Sequence, residues 1–137
     1  MNNKITGNHY ESELCDRLSD YGFWAHNLAQ NQHGQPADVL AVRNNVAYLI
    51  DCKDCEDNKF PLSRIEPNQE AAMTLWDLCG NSHAYFALRL TSRVTYMVSF
   101  RTLNLLDQLG KKSLSEEEIK CFPTLLQWEM EVSAHEG

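Results

Sequence analysis

The stretch PADVLAVRNNVAYLIDCK, residues 36–53, carries the clearest structural signal in this chain. It contains two short apolar runs, Val39–Val42 and Val46–Ile50, with the length and composition typical of β-strands. Asn44 and Asn45 lie between the runs. Asparagine tolerates the positive φ that both central residues of a tight hairpin turn require. The stretch therefore predicts two antiparallel strands joined by a two-residue turn.

The register of this hairpin brings two carboxylates together. With the two asparagines at the turn, Arg43 faces Val46, and counting back along both strands places Asp38 opposite Asp51. Opposed side chains have Cβ atoms about 4.5–5.5 Å apart, so like charges there repel unless a cation compensates. Lys53 follows Asp51 by two residues and points to the same face, because strand side chains alternate. The hairpin thus predicts two carboxylates and one cation at one strand end.

Two neighbouring carboxylates form a site that suits a hard divalent cation. Magnesium keeps several of its waters and usually takes only one or two protein carboxylates, here Asp38 and Asp51. Cys52 points its side chain away from this face, but its backbone carbonyl can reach the metal. The alternative is a salt-bridge cluster of Asp38, Asp51 and Lys53 on an exposed hairpin. Spacing alone leaves it open, since a slip of one residue would undo the pairing.

Apolar patterns elsewhere predict the elements around this hairpin. Helices are expected over residues 10–21, 67–79 and 103–109 and from 115 onward, strands over 84–90 and 94–100, a polar loop over 27–35, and an edge strand over 124–132. The order of helix, strand, strand, helix, strand, strand indicates an α/β fold. We expect a mixed β-sheet flanked by helices.

Composition narrows the class of protein. The chain has 137 residues, 43% of them hydrophobic, which suits one domain with its own core. The formal net charge of -7 excludes a generally basic nucleic-acid coat, so a polyanionic partner must meet a local basic patch. The sequence has no apolar window long enough for a membrane span, no signal-peptide core, and an odd number of cysteines. We expect a single cytoplasmic domain over residues 1–137, with reduced thiols and no membrane partner.

Several motifs together resemble one nuclease superfamily. Pro36-Ala37-Asp38 and Asp51-Cys52-Lys53 match the signature of PD-(D/E)XK nucleases. Upstream, Gly7-x-x-x-Glu11 followed by Glu13-Leu14 resembles the first helix of archaeal-type Holliday junction resolvases. Downstream, residues 60–65 (FPLSRI) and Asn68-Gln69 resemble the block after the lysine motif in RecU-type resolvases. The resemblance covers about residues 7–73.

The chain also departs from that pattern at two positions. Pro36 stands where RecU-type proteins have threonine, and Asp51 stands where many relatives carry glutamate. Family members are typically longer and more basic. A small phage-encoded relative would account for these differences.

The resemblance implies a restriction-endonuclease-like core and hydrolysis of phosphodiester bonds. Asp38, Asp51 and the backbone carbonyl of Cys52 would bind Mg²⁺, for which Mn²⁺ could substitute. The metal would polarise the scissile phosphate and lower the pKa of a bound water. Lys53 would offset the negative charge that develops in the transition state.

The resemblance also assigns roles to residues outside the hairpin. Glu11 would orient a water or help to bind a second metal ion, and Glu13 would point away from the site, because residues two apart on a helix lie about 200° apart. Gln69, in the first turn of its helix, would position the substrate. DNA contacts near the site are expected from Lys59, Arg64 and His33, and the more distant basic candidates are Lys4, Arg89, Arg93 and Arg101.

These features predict a magnesium-dependent, structure-selective DNA endonuclease, most like a Holliday junction resolvase of DNA recombination and repair. Two symmetric incisions of a four-way junction need two active sites, so a homodimer is expected. Three alternatives remain open. One is a nuclease for flaps, single strands or foreign duplex, and another is an inactive nucleic-acid-binding subunit that keeps the fold. The third is a thiol protein that uses Cys52 and Cys55.

Overall fold

The computed structural model describes residues 3–28 and 37–136, with side chains from His9 onward. Its helices are α1 (Asn3–Asp20), α2 (Pro67–Leu78), α3 (Phe100–Gln108), α4 (Glu116–Ile119) and α5 (Leu125–His135), with a 3-10 turn at Leu62–Arg64. Its strands are β1 (Trp24–Asn27), β2 (Val39–Arg43), β3 (Val46–Asp54), β4 (Phe60–Pro61), β5 (Ala84–Arg89), β6 (Thr95–Ser99) and β7 (Ser113–Leu114). The predicted α/β class is confirmed.

The central hairpin has the predicted register. Asn44 and Asn45 have φ values of 51° and 67°, as a two-residue hairpin turn requires. Arg43 pairs with Val46 at the turn. The regular β2–β3 pairing continues to Val39 and Ile50, one residue short of Asp38 and Asp51. The two aspartates therefore lie where the ladder ends.

Strand β3 occupies the middle of a mixed sheet. Within the described residues, the sheet has five strands in the order β1-β2-β3-β5-β6. The pairing of β3 with β5 is parallel, and the other pairings are antiparallel. A parallel pair needs a long crossover, and the segment that contains β4, the 3-10 turn and α2 supplies it. Strands β4 and β7 form a separate small sheet.

A hydrophobic core covers each face of the main sheet, so the alternating side chains of β3 divide between two layers. One core joins Leu49 of β3 to side chains of α2 and α3. The other joins Tyr48 and Ile50 to side chains of α1 and α5. Asp51 and Lys53 follow Leu49 at intervals of two residues, so they lie on the α2 face. The sheet is thus flanked by helices on both sides, as predicted.

One prediction about secondary structure was wrong, and a second is largely untested by the described residues. The predicted edge strand over 124–132 is helix α5, because Thr124 caps its N-terminus in a capping box with Gln127. The predicted loop over 27–35 is described only at its start, where Asn27 ends strand β1. The rest of that loop lies outside the described residues.

None of the described helices is both long enough and apolar enough to cross a membrane.

Candidate active site

Asp51 is the buried centre of the site. It lies on β3 and only 1% of its surface is exposed. Burial raises the pKa of its carboxyl group well above the ordinary value, and the nearby Asp38 carboxylate raises it further. Asp38 is held in place by the backbone of β3, since its Oδ2 accepts a hydrogen bond from the Cys52 N–H at 2.8 Å. The structure thus brings together the two predicted aspartates.

Lys53 compensates part of this charge. Its Nζ lies 3.2 Å from Asp51 Oδ2, on the face that strand alternation predicts. The ammonium group lowers the pKa of Asp51, but burial and Asp38 outweigh it. The site therefore contains more negative charge than its own cation balances.

Gln69 contacts Asp51 from helix α2, which packs on the same face of the sheet. Helix α2 begins with Pro67 at its first position, and Glu66 and Gln69 form a capping box. Gln69 Oε1 accepts a hydrogen bond from the Glu66 N–H at 3.1 Å, which leaves its amide nitrogen to donate to Asp51 Oδ1 at 3.0 Å. The capping box thus holds the amide oxygen of Gln69 and orients its amide nitrogen towards the Asp51 carboxylate.

Glu11 approaches Asp38 from helix α1. It is buried, and its pKa is raised to about 7, first by burial and then by the neighbouring Asp38. A hydrogen bond from the Asn27 side chain opposes this rise. Asn27, at the end of β1, is a site residue that the sequence analysis missed. The sequence signal for Asn27 was its position at the start of the polar loop, directly after a short run that contains two aromatic residues. Its pairing with Val39 is visible only in the structure.

The donor chemistry of the site fits a hard cation. Asn27 Oδ1 is a buried oxygen with no hydrogen-bond partner among the described residues, and Asp51 Oδ2 is buried with the ammonium nitrogen of Lys53 3.2 Å away. Within that part of the chain, no three His, Cys, Asp or Glu side chains are arranged as a metal site. The predicted ligand set does not need three, because it combines the side chains of Asp38 and Asp51 with the Cys52 carbonyl. Two carboxylates and a carbonyl are ligands that suit Mg²⁺.

Two of the predicted DNA contacts, Lys59 and Arg64, follow strand β3 in the sequence. Lys59 is exposed. Arg64 is half-buried, donates from Nη1 to the Asp54 carbonyl at 2.8 Å and lies over the Phe60 ring. His33 lies outside the described residues, as does the side chain of Lys4.

Two of the more distant basic candidates are engaged within the protein. Arg89 is buried and binds Asp54 and Glu13, so it is not a free DNA contact. Arg101 is exposed but pairs with Asp77 at 2.5 Å. Glu13 points away from Asp38 towards Arg89, as the helical spacing predicts.

The structure opposes the thiol alternative. The side chain of Cys52 packs against the core on the α1 face, whereas Cys55 belongs to the core on the α2 face. Both are free cysteines. Burial raises the pKa of Cys52 and raises that of Cys55 to about 11. Thiol chemistry needs a thiolate, so neither side chain suits it near neutral pH.

A mixed sheet with two aspartates, a lysine and a glutamine at one strand end has the architecture of the PD-(D/E)XK nucleases, the class with a restriction-endonuclease-like fold. The sequence profile of the archaeal Holliday junction resolvase family (Hjc) matches residues 2–120. The chain therefore belongs to this family, and it is a structure-selective DNA endonuclease of the kind that acts on Holliday junctions.

A solved structure shows the same fold. It is that of Hjc, a Holliday junction resolvase from the archaeal hyperthermophile Archaeoglobus fulgidus. The two chains superpose with a TM-score of 0.66 at 18% sequence identity, over 91% of this chain and 96% of the other. No curated protein sequence matches this chain.

Proposed function

We propose that the chain hydrolyses phosphodiester bonds of four-way DNA junctions with Mg²⁺ as its metal ion, and that Mn²⁺ can substitute. The observation that carries this proposal is the convergence of Asp38, Lys53 and Gln69 on the buried carboxylate of Asp51. The Asp51 carboxylate is buried beside that of Asp38 with one nearby ammonium group, that of Lys53, and this surplus of negative charge supports a bound metal.

Asp38, Asp51 and the Cys52 carbonyl would hold the ion. When bound, it polarises the scissile phosphate and lowers the pKa of a water. A cation held there would offset the surplus of negative charge at Asp51 and with it the cost of burying this carboxylate.

The other residues act on the phosphate and the water. Lys53 stabilises the negative charge that develops on the phosphate in the transition state. Gln69 keeps Asp51 in one rotamer and positions the substrate from the first turn of α2. Glu11 orients the attacking water or helps to bind a second ion, and its hydrogen bond with Asn27 keeps the carboxylate turned towards Asp38.

Substrate binding uses basic residues next to the site. Lys59 and Arg64 contact the phosphates that flank the scissile bond, and His33 contributes from the preceding loop. A homodimer supplies the two active sites that paired incision of a four-way junction requires.

The experiment compares cleavage of labelled four-way junctions, flaps and linear duplexes in Mg²⁺ or EDTA. We expect junction cleavage only with the metal, and losses of roughly 100-fold or more for Asp51→Asn and for Lys53→Ala. Lys120→Ala is the control, because Lys120 is exposed and pairs with Glu116 on α4. Cleavage unchanged by both site substitutions would contradict the proposal.

Other results of the cleavage assay would favour one of the alternative functions. Preferential cutting of flaps or single strands would favour the related nuclease activity. Junction binding without cleavage in any metal would favour the inactive subunit. Sedimentation of the free protein and of its junction complex tests the homodimer, and one subunit per junction would contradict it.

A further inference from the structure

Arg89 is a buried charged residue that the proposed mechanism leaves without a role. It ends strand β5, and only 7% of its surface is exposed. Its guanidinium group binds Asp54 through two parallel hydrogen bonds, Nε to Oδ1 at 2.7 Å and Nη2 to Oδ2 at 2.9 Å. Its third nitrogen, Nη1, donates to Glu13 Oε2 at 3.0 Å. All three nitrogens are therefore engaged within the protein, and the side chain is rigidly held.

The partners of Arg89 lie beside residues of the site. Asp54 follows Lys53 on β3. On α1, Glu13 and Tyr10 flank Glu11, and the guanidinium carbon lies 4.0 Å from the centre of the Tyr10 ring. Arg89 therefore links the helix that carries Glu11 to the strand end that carries Lys53.

The geometry of α1 shows what this link controls. Tyr10 and Glu13 are three residues apart and share one side of the helix. Glu11 lies about 100° around the axis from Tyr10, on the side that faces Asp38 and Asn27. The Tyr10 hydroxyl also donates to the Ala87 carbonyl of β5 at 2.9 Å. Strand β5 thus holds the side of α1 that carries Tyr10 and Glu13. This contact sets the rotation of α1 about its axis, and so the direction in which Glu11 points.

We propose that Arg89 is a positioning residue for Glu11. It fixes the rotation and height of α1 relative to β3 and thereby sets where the Glu11 carboxylate stands beside Asp38. The inference rests on the proposed function of Glu11 and adds a residue distant in sequence from every motif of the site.

The chain offers a matched control in Arg43. Its guanidinium carbon also lies 4.0 Å from an aromatic ring centre, that of Phe23, and it binds Glu129 at 2.8 Å and Glu136 at 2.5 Å. It lies at the hairpin turn, at the opposite end of β3 from Asp54. Removal of either arginine disrupts a similar network, but only Arg89 contacts residues that flank Glu11.

The experiment measures junction affinity in EDTA and the single-turnover cleavage rate in Mg²⁺, at a temperature where every variant is folded. We expect Arg89→Met to lower the rate roughly 10- to 100-fold with unchanged affinity, because small misplacements of catalytic groups cost that much. Arg89→Lys keeps the charge but loses the paired hydrogen bonds, so it should restore only part of the rate. Arg43→Met should lower the melting temperature and leave the rate of the folded protein unchanged.

A double-mutant cycle with Glu11→Gln separates positioning from a general structural role. If Arg89 acts through Glu11, its substitution has almost no further effect on the rate when Glu11→Gln is already present. A full effect in that background, or equal rate losses for Arg89→Met and Arg43→Met, would overturn the inference.

Three further outcomes keep the test decisive. If Arg89→Met does not fold, Arg89→Lys and Glu13→Gln weaken the same link more gently, and unchanged rates in both would overturn the inference. If Glu11→Gln cleaves at the wild-type rate, the proposed role of Glu11 is wrong and the inference falls with it. If Glu11→Gln is impaired but Arg89→Lys and Arg89→Met are not, the inference alone is wrong.

Discussion

The position of Asp51 in the fold costs stability. The carboxyl group is buried and lies beside a second carboxylate. Such a group destabilises the metal-free fold, because its ionised form is better solvated in the unfolded chain. Functional residues are often held in positions of this kind, and the surrounding core supplies the energy that keeps them there.

We predict that Asp51→Asn stabilises the metal-free protein while it abolishes cleavage. The raised pKa means that ionised Asp51 costs stability above the ordinary carboxyl pKa, and asparagine removes this cost. Urea denaturation in EDTA at pH 8 should show a gain in the free energy of unfolding. Asp54→Asn, the control, should lose stability, because Asp54 pairs with Arg89. A loss of equal size in both variants would contradict the prediction.

Asn27 supports Glu11 through a single hydrogen bond. Asn27→Ala should slow single-turnover junction cleavage about 10-fold, which corresponds to about 1.4 kcal/mol, within reach of a hydrogen bond to a charged group. His26→Ala is the control, since His26 is the neighbouring exposed residue and stacks on Trp24. Equal rates for the two variants would show that Asn27 has no part in catalysis.

The elements of the hairpin were predictable because local chemistry determines them. Asn44 and Asn45 specify the turn, and the turn then sets the register of both strands. The carboxylate cluster follows from that register. Few other helices or strands of the chain are specified so fully by residues adjacent in sequence.

Helix α5 shows why sequence patterns failed elsewhere. Leu126, Trp128, Met130 and Val132 alternate as in a strand, but Leu126 and Met130 are exposed, and Leu125 and Trp128 are the buried pair. The capping box of Thr124 and the helical spacing of Leu125, Trp128 and Val132 are the signals that indicate a helix. The four-residue strand β1 and the two-residue strands β4 and β7 depend on partners distant in sequence, which no local window contains.

The buried face of α5 predicts a large difference between two neighbouring substitutions. Trp128 is 2% exposed and packs against Phe23, Tyr48 and Tyr85, whereas Met130 is 62% exposed. Trp128→Ala should cost about 3–5 kcal/mol of unfolding free energy in urea denaturation, through lost burial and a cavity. Met130→Ala should stay within about 0.5 kcal/mol of the parent. Similar costs for both would mean that α5 does not cover the sheet.

At the scale of the whole molecule, the net charge of -7 opposes DNA binding everywhere except at local basic positions. Each phosphate contact from a lysine or arginine releases counterions, so affinity falls as salt rises. Substitution of a basic residue that contacts the DNA should therefore weaken the salt dependence of junction binding.

We predict that Lys59→Ala reduces the slope of log affinity against log salt by about 1, with the loss shared by all DNA sequences. Fluorescence anisotropy of a labelled junction in EDTA measures the slope. Lys112→Ala provides a comparison at another exposed lysine, and Lys120→Ala should leave the slope unchanged because Lys120 pairs with Glu116. An unaltered slope for Lys59→Ala would place the DNA elsewhere on the surface.

Strand β3 has a hydrogen-bonded neighbour on each edge, and its pairing with β5 waits for the whole crossover to form. Long-range parallel pairing is slow, so this is a late event in folding, and its amides should exchange with deuterium only when the entire domain opens. Glu11, Asp51 and Gln69 come from three separate segments that meet only in the finished fold. A chain that is still being synthesised, or one that has begun to unfold, therefore keeps these three side chains apart and lacks the proposed active site.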